Sequence, residues 1–315
     1  MIRLSYQKTG IGRWILLPPL ISLLLTGCSI RKMAVNKMGD ALASGGATYA
    51  SDDDPELIKA AMPFSLKLME SLLAESPRHK GLLFATASGF TLYAYAFVQQ
   101  EADVIEDENL AAAIEYRTRA RKLYLRARNY GLRGLEVKHP GFDTKLHDNP
   151  KSAVRIIREV DLPLLYWTAV SWAASISISK NDPHMIADLP LVEALIDRAL
   201  ELGEDFEDGS IHTFLITFEL SRPGVEGDPI ARSRKHFERA MELSGGQQAG
   251  PLVSFAESVS VIEQNSIEFQ SLLNRALAID PNAKPEWRLA NLVMQRRARW
   301  LLSRTDELFL IPENL

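Results

Sequence analysis

The sequence predicts an all-α protein built as an array of helix hairpins, and three observations carry that expectation. Apolar residues recur at steps of three and four, as at Leu57, Ala60, Ala61, Phe64, Leu68 and Leu72, which places them on one helical face. Convincing runs of alternating apolar and polar residues between hairpin turns are lacking, so strands are not expected. Similar helical segments also return along the chain, reading IDRALEL at 196–202, FERAMEL at 237–243 and LNRALAI at 273–279.

The first 27 residues carry Arg3, Lys8 and Arg13, no acid, and an apolar run from Trp14 to Leu25. That run is too short to span a hydrocarbon layer of about 30 Å as a helix. Its order of charge, apolar stretch and small residues is that of a secretion signal. It ends in Leu25-Thr26-Gly27-Cys28, which resembles a bacterial lipobox, so Cys28 is expected to carry lipid after cleavage before it. Cys28 is the only cysteine, which leaves no internal disulfide. Ser29 stands where Asp favours inner-membrane retention, so the periplasmic face of the outer membrane is the expected location. Residues 28–54 then read as a lipidated tether, 55–309 as the helical domain and 310–315 as a C-terminal tail.

Asp54-Pro55-Glu56 is a cap, a first-turn proline and an acidic first turn, opening a helix that stops at Ser76-Pro77. Further helices are expected near 80–99, 110–130 (before Gly131), 152–159, 162–180, 189–202, 209–220, 231–244, 252–264, 266–279 and 285–303. In the repeated segments Ala199, Ala240 and Ala276 let a neighbouring helix approach, and Asp280-Pro281 closes the third copy. A small residue, an apolar residue three before it and a proline five after it resemble the second helix of tetratricopeptide repeats. The spacing departs from that family, whose first-helix Trp, Gly and Tyr are not kept either. A degenerate array, as a right-handed α-solenoid, and a compact helical bundle both fit. Extra residues between paired helices, 101–108, 181–190 and 222–229, are expected to project along one edge. The first holds five carboxylates in eight residues but lacks the glycine of an EF-hand loop, so it reads as a solvated acidic connector.

Charge and motifs narrow the function. The chain has net charge −4. Without the three cations of residues 1–27 it has 33 basic residues against 40 acidic, which argues against nucleic-acid binding. The six histidines show no ligand spacing on one helix, and nucleophile elbows, phosphate loops and zinc motifs are absent from the sequence. No enzyme activity, metal or cofactor is therefore expected. The candidate ligand residues are aromatic: Tyr93, Tyr95 and Phe97 on one first helix, and Tyr166, Trp167 and Trp172 on another. On a concave inner surface these rings would grip an apolar ligand or peptide; packed in the core they would have no such role. Arg296, Arg297 and Arg299 read as a polar capping face, and Ser175–Lys180 as a helix end that an anion would suit.

Five blocks resemble a known family: Ser44–Pro55 (SGGATYASDDDP), Ala87–Gln99 (ASGFTLYAYAFVQ), Leu164–Ala169 (LLYWTA), Ala249–Val259 (AGPLVSFAESV) and Gln295–Arg304 (QRRARWLLSR). Together they resemble the TatT component family of tripartite ATP-independent periplasmic (TRAP) transporters, over nearly the whole stretch from Cys28 to Phe309. The resemblance implies a tetratricopeptide-like periplasmic lipoprotein that partners a TRAP substrate-binding protein, together with a small apolar or organic-acid ligand. A homo-oligomer is compatible with it. The rival expectation is a general envelope scaffold that assembles other proteins and binds no small molecule.

Overall fold

A computed structural model of the protein describes residues 33–310 apart from Pro223. Cys28 and the signal-like segment 1–27 lie outside the described residues, as do residues 311–315 of the expected tail. Among the described residues the chain is helix and connecting turn, without a strand, so the all-α class holds.

In chain order the helices are α1 (33–44), α2 (Gly46–Ala50), α3 (Pro55–Glu75), α4 (Lys80–Ala94), α5 (Gln100–Ile105), α6 (Leu110–Lys138), α7 (Phe142–Asp148), α8 (Pro150–Ala153), α9 (Leu162–Ser177), α10 (Pro183–Ile186), α11 (Leu189–Leu202), α12 (Ser210–Phe218), α13 (Pro229–Leu243), α14 (Ala249–Phe255), α15 (Ser266–Ala278), α16 (Arg288–Ser303) and α17 (Thr305–Leu308). Several of their starts are capped by side chains, at Asp54 as the sequence implies. The Asp54 carboxylate accepts the Glu56 and Leu57 N–H groups at 3.0 Å each, with Pro55 behind it. Asn109 accepts from Ala112 at 3.0 Å and Asn265 from Glu268 at 3.1 Å. Each such cap satisfies a donor that the first turn leaves without a helical partner.

Neighbouring helices pack in sequence: α3 on α4, α4 on α6, α6 on α9, α9 on α11, α12 on α13, then α14, α15 and α16 on one another. Ala199, Ala240 and Ala276 are fully buried. Ala240 explains why: a side chain at Gly209 would come within 3.3 Å of the Ala240 Cα, so both positions stay small where the start of α12 meets α13. The core divides into a central cluster around Trp172, Phe142 and Leu165, a carboxy-terminal one around Phe255 and Phe269, and two amino-terminal ones around Tyr124 and Leu82.

Several expectations need correction. Residues 33–50 belong to the expected tether but are helical, and Val35 and Leu42 pack beside Leu82 and Leu83. The Ser76 hydroxyl donates to Asn36 Oδ1 at 2.7 Å and His79 pairs with Asp40 at 3.3 Å, which fastens α1 to the α3–α4 turn. The helix expected to stop before Gly131 continues to Lys138. Gly131 and Gly134 are buried there because α9 crosses at those points: side chains would run into Thr168 and Leu164. These glycines mark a close crossing rather than a stop. The helix expected over 152–159 is shorter, covering α8 and one 3₁₀ turn to Ile156 before extended backbone at Ile157.

Glu101–Glu108 is the largest departure, because it is not a projecting solvated connector. α4 runs through a π-helical turn, Tyr95–Gln99, directly into α5. Lys80–Ile105 is thus one continuous helical run, long and apolar enough by length and composition to cross a membrane. Its apolar residues, Leu82, Leu83, Phe90 and Val98 among them, are spent on the core. The acids of 101–108 meet cations from elsewhere in the fold: Glu101 meets Lys59 at 3.2 Å, Glu106 meets Arg117, and Asp107 meets Arg304. Arg297, on the expected capping face, is buried between Asp103 at 3.0 Å and Glu257. Glu257 sits on a second π-helical turn, Ala256–Ser260, which follows α14, so one guanidinium joins α5, that turn and α16.

A second buried polar contact lies between α12 and α13, where His212 Nδ1 is 2.8 Å from His236 Nδ1. At that distance one nitrogen donates and the other accepts, so both rings cannot be charged. Burial, then the His212 charge, push His236 down to about 4, and burial also lowers His212. The charged groups nearby are Glu204, Glu219, Arg222, Arg232 and Arg239. A histidine held neutral stabilises fully above its unfolded pKa of about 6.5, and that stabilisation is lost as pH falls towards 4. Between pH 7 and 5 the loss at His236 is expected to be about 2 kcal/mol. Thermal melts of His236→Asn should show a shallower dependence over that window; an unchanged slope would assign the acid sensitivity elsewhere.

Candidate functional site

The six expected ligand rings fall into two groups that the fold keeps apart. On α4 and its π-helical turn, Tyr93 and Phe97 are buried with ring centres 5.9 Å apart, and Tyr95 is half-buried. The Arg119 guanidinium donates to the Tyr93 hydroxyl at 3.3 Å and sits over its ring. Tyr95 points between the amino- and carboxy-terminal clusters, its hydroxyl 3.7 Å from Met294 Sδ. Burial, with the Glu257 charge, pushes the Tyr95 phenol up to about 12, so it stays neutral.

On α9, Tyr166, Trp167 and Trp172 all belong to the central cluster. Tyr166 stands edge-on to Trp167 at 5.2 Å and donates to the Ser210 carbonyl at 3.2 Å. The Trp172 indole N–H donates to Asp188 at 3.0 Å, with Arg128 stacked 4.8 Å from the ring centre. α9 is apolar nearly all round, because α6, α4 and α11 pack on it. That surrounding turns its aromatic stripe into core.

A concave surface does occur on the neighbouring helix. Lys122, Leu125, Arg126, Asn129, Tyr130 and Arg133 line an open groove of about 520 Å³. All six lie on α6 at steps of three or four, so they form one stripe about 16 Å long. Leu125 and Tyr130 are half-buried and form the floor, while Lys122, Arg126 and Arg133 are exposed along it. Glu70 of α3 is the carboxylate beside the stripe: Tyr130 donates to it at 2.9 Å and Arg126 lies 3.4 Å away. Although burial works against it, the hydrogen bonds from Lys67 and Tyr130 and the Arg126 charge hold the Glu70 carboxyl below its usual range. Nothing in the apolar periodicity singles out this groove; the signal is charge, since α6 carries eight basic residues against two acidic ones. A second concavity lies close by, at Asn36, Ser76, Pro77, Arg78 and His79. Neither concavity is lined by any of the six expected rings. Among the described residues, no group of three or more His, Cys, Asp or Glu side chains is arranged to hold a metal ion.

Comparison with known proteins gives two matches. The model of a family described as TRAP transporter T-component matches residues 51–309. An uncharacterized protein of Treponema pallidum (strain Nichols) is 27% identical over 306 residues, covering 91% of this chain and 95% of that protein.

Proposed function

The chain belongs to the TRAP transporter T-component family, and from that premise we propose that it is a lipid-anchored accessory component on the periplasmic face of a bacterial membrane, where it binds the transporter's substrate-binding protein. The match over 51–309 carries this proposal, because it spans the capped helices, the core and the α6 groove together. It favours a transport accessory over a general envelope scaffold. Anchoring rests on the lipobox-like Leu25–Cys28 run. One acyl chain gives only marginal membrane binding, so firm attachment requires Cys28 to carry more than one. Handover of a small apolar or organic-acid ligand belongs to the same proposal, but its support is the family and not the six rings, which are mostly core.

Two measurements test it. When the full chain is co-expressed with the transporter's substrate-binding protein, the two should co-purify from solubilised envelopes; recovery of each alone would count against the partner. Metabolic labelling with an alkyne fatty acid should mark the wild type and leave Cys28→Ala unlabelled and unprocessed. Equal labelling of both would refute the anchor.

A further inference from the structure

We infer that the α6 groove is a docking surface for an acidic, partly apolar segment of a partner protein. This rests on the proposal that the chain works by binding another transporter component. Several cations elsewhere are paired within the fold. Arg117 is held by Glu106 and Asp103, Arg304 by Asp107 and Glu307, and Arg222 by Glu193, Asp197 and Glu219. Along the groove Lys122, Arg126 and Arg133 stand exposed over roughly three turns, Arg126 beside Glu70 and Arg133 donating to the Pro77 carbonyl at 3.3 Å. Three cations thus line a groove whose lining residues include no carboxylate, a local excess of positive charge on a chain of net charge −4.

Shape and chemistry then select the occupant. The cations rim a groove floored by Leu125 and Tyr130, with Arg133 stacked 5.1 Å from the centre of the Tyr130 ring. Leu125 and Tyr130 are only half-buried, so a complete occupant offers apolar surface as well as negative charge. An amphipathic segment with carboxylates once per turn and an apolar edge meets both, as helices do in apolar grooves. Opposite charge at the rim speeds encounter and suppresses wrong partners, while Tyr130 and Arg126 are the residue types that dominate interface energies. Three cations are too few to make a strong nucleic-acid footprint.

The test uses the full chain and the variant Lys122→Glu/Arg126→Glu/Arg133→Glu, with Lys122→Ala/Arg133→Ala as a milder second variant that keeps the Arg126–Glu70 contact. A fluorescein-labelled peptide of about twelve residues, with Glu and Leu on opposite helical faces, should bind the wild type. Its Kd should rise about tenfold in the triple variant, less in the double, and also when salt is raised from about 50 to about 200 mM. Equal Kd values for wild type and both variants would overturn the inference. So would binding of phosphatidylglycerol vesicles in place of the peptide, which would assign the groove to lipid headgroups. With the co-expressed substrate-binding protein, loss of co-purification in the variants supports the groove. Equal recovery in all three overturns the groove and leaves the proposed function standing. If even the wild type fails to recover that protein, the proposed function falls, and the peptide still decides the groove.

Discussion

Arg297→Met is expected to destabilise the protein by about 3–5 kcal/mol, the usual cost of removing one partner from a buried ion pair. Arg297 is 8% exposed and its guanidinium contacts Asp103 and Glu257 on two other helices. It also stacks on Trp300 at 4.1 Å from the ring centre. Methionine keeps most of the stem packing but leaves two carboxylates facing each other next to the Tyr95 phenol. Burial, with Glu257 adding to it, already raises the Asp103 carboxyl against the pull of Arg297. Without Arg297 it rises further. A carboxyl whose folded pKa lies above its unfolded one stabilises the fold when protonated, and that contribution is lost as pH rises through the folded value. The variant should therefore recover part of its loss between pH 7 and 5, opposite in sign to the His236 effect. Asp103→Asn in the Arg297→Met background should recover more than the two single changes predict, because the residues share one contact. A melting temperature within a degree or two of wild type, flat with pH, would show that Arg297 is not the joint between these helices.

Features that depend on local chain chemistry were legible in the sequence. Asp54-Pro55-Glu56 caps α3, and the buried alanines 199, 240 and 276 sit at helix contacts, as periodicity and capping rules imply. Features that depend on what a third element supplies were not. Gly131 carries a helix-stop signal, but the approach of α9 makes glycine the residue that the helix interior needs there and at Gly134. The acids of 101–108 look solvated until α6 and α16 bring Arg117, Arg297 and Arg304 to them. The α6 cations show the converse: their number is plain in the sequence, but which stay unneutralised depends on Asp103, Glu106, Asp161 and Asp182 arriving from elsewhere to pair Arg117, Lys138 and Arg121. Aromatic residues at helical spacing are equally consistent with a lined channel and a packed core, and only the neighbours of α9 separate the two.

Trp167→Ala tests that separation directly. Trp167 is 8% exposed in the central cluster, edge-on to Tyr166, which in turn meets Phe206 at 5.2 Å. Truncating a packed tryptophan removes its transfer free energy and leaves a cavity that close-packed neighbours fill only in part, a cost of about 3–5 kcal/mol. For a domain of this size, that is a drop in melting temperature of about 10 °C. Binding of the substrate-binding protein should persist below that temperature, because Trp167 does not line the α6 groove. The opposite result, an unchanged melt with weakened binding, would return Trp167 to a ligand-lining role and require α9 to open towards solvent. Trp172→Phe sharpens the distinction. It keeps most of the buried apolar volume but removes the indole N–H from Asp188 and shrinks the aromatic face under Arg128. Its loss should be smaller than that of Trp167→Ala if packing dominates α9, and comparable if the polar contacts at its end do.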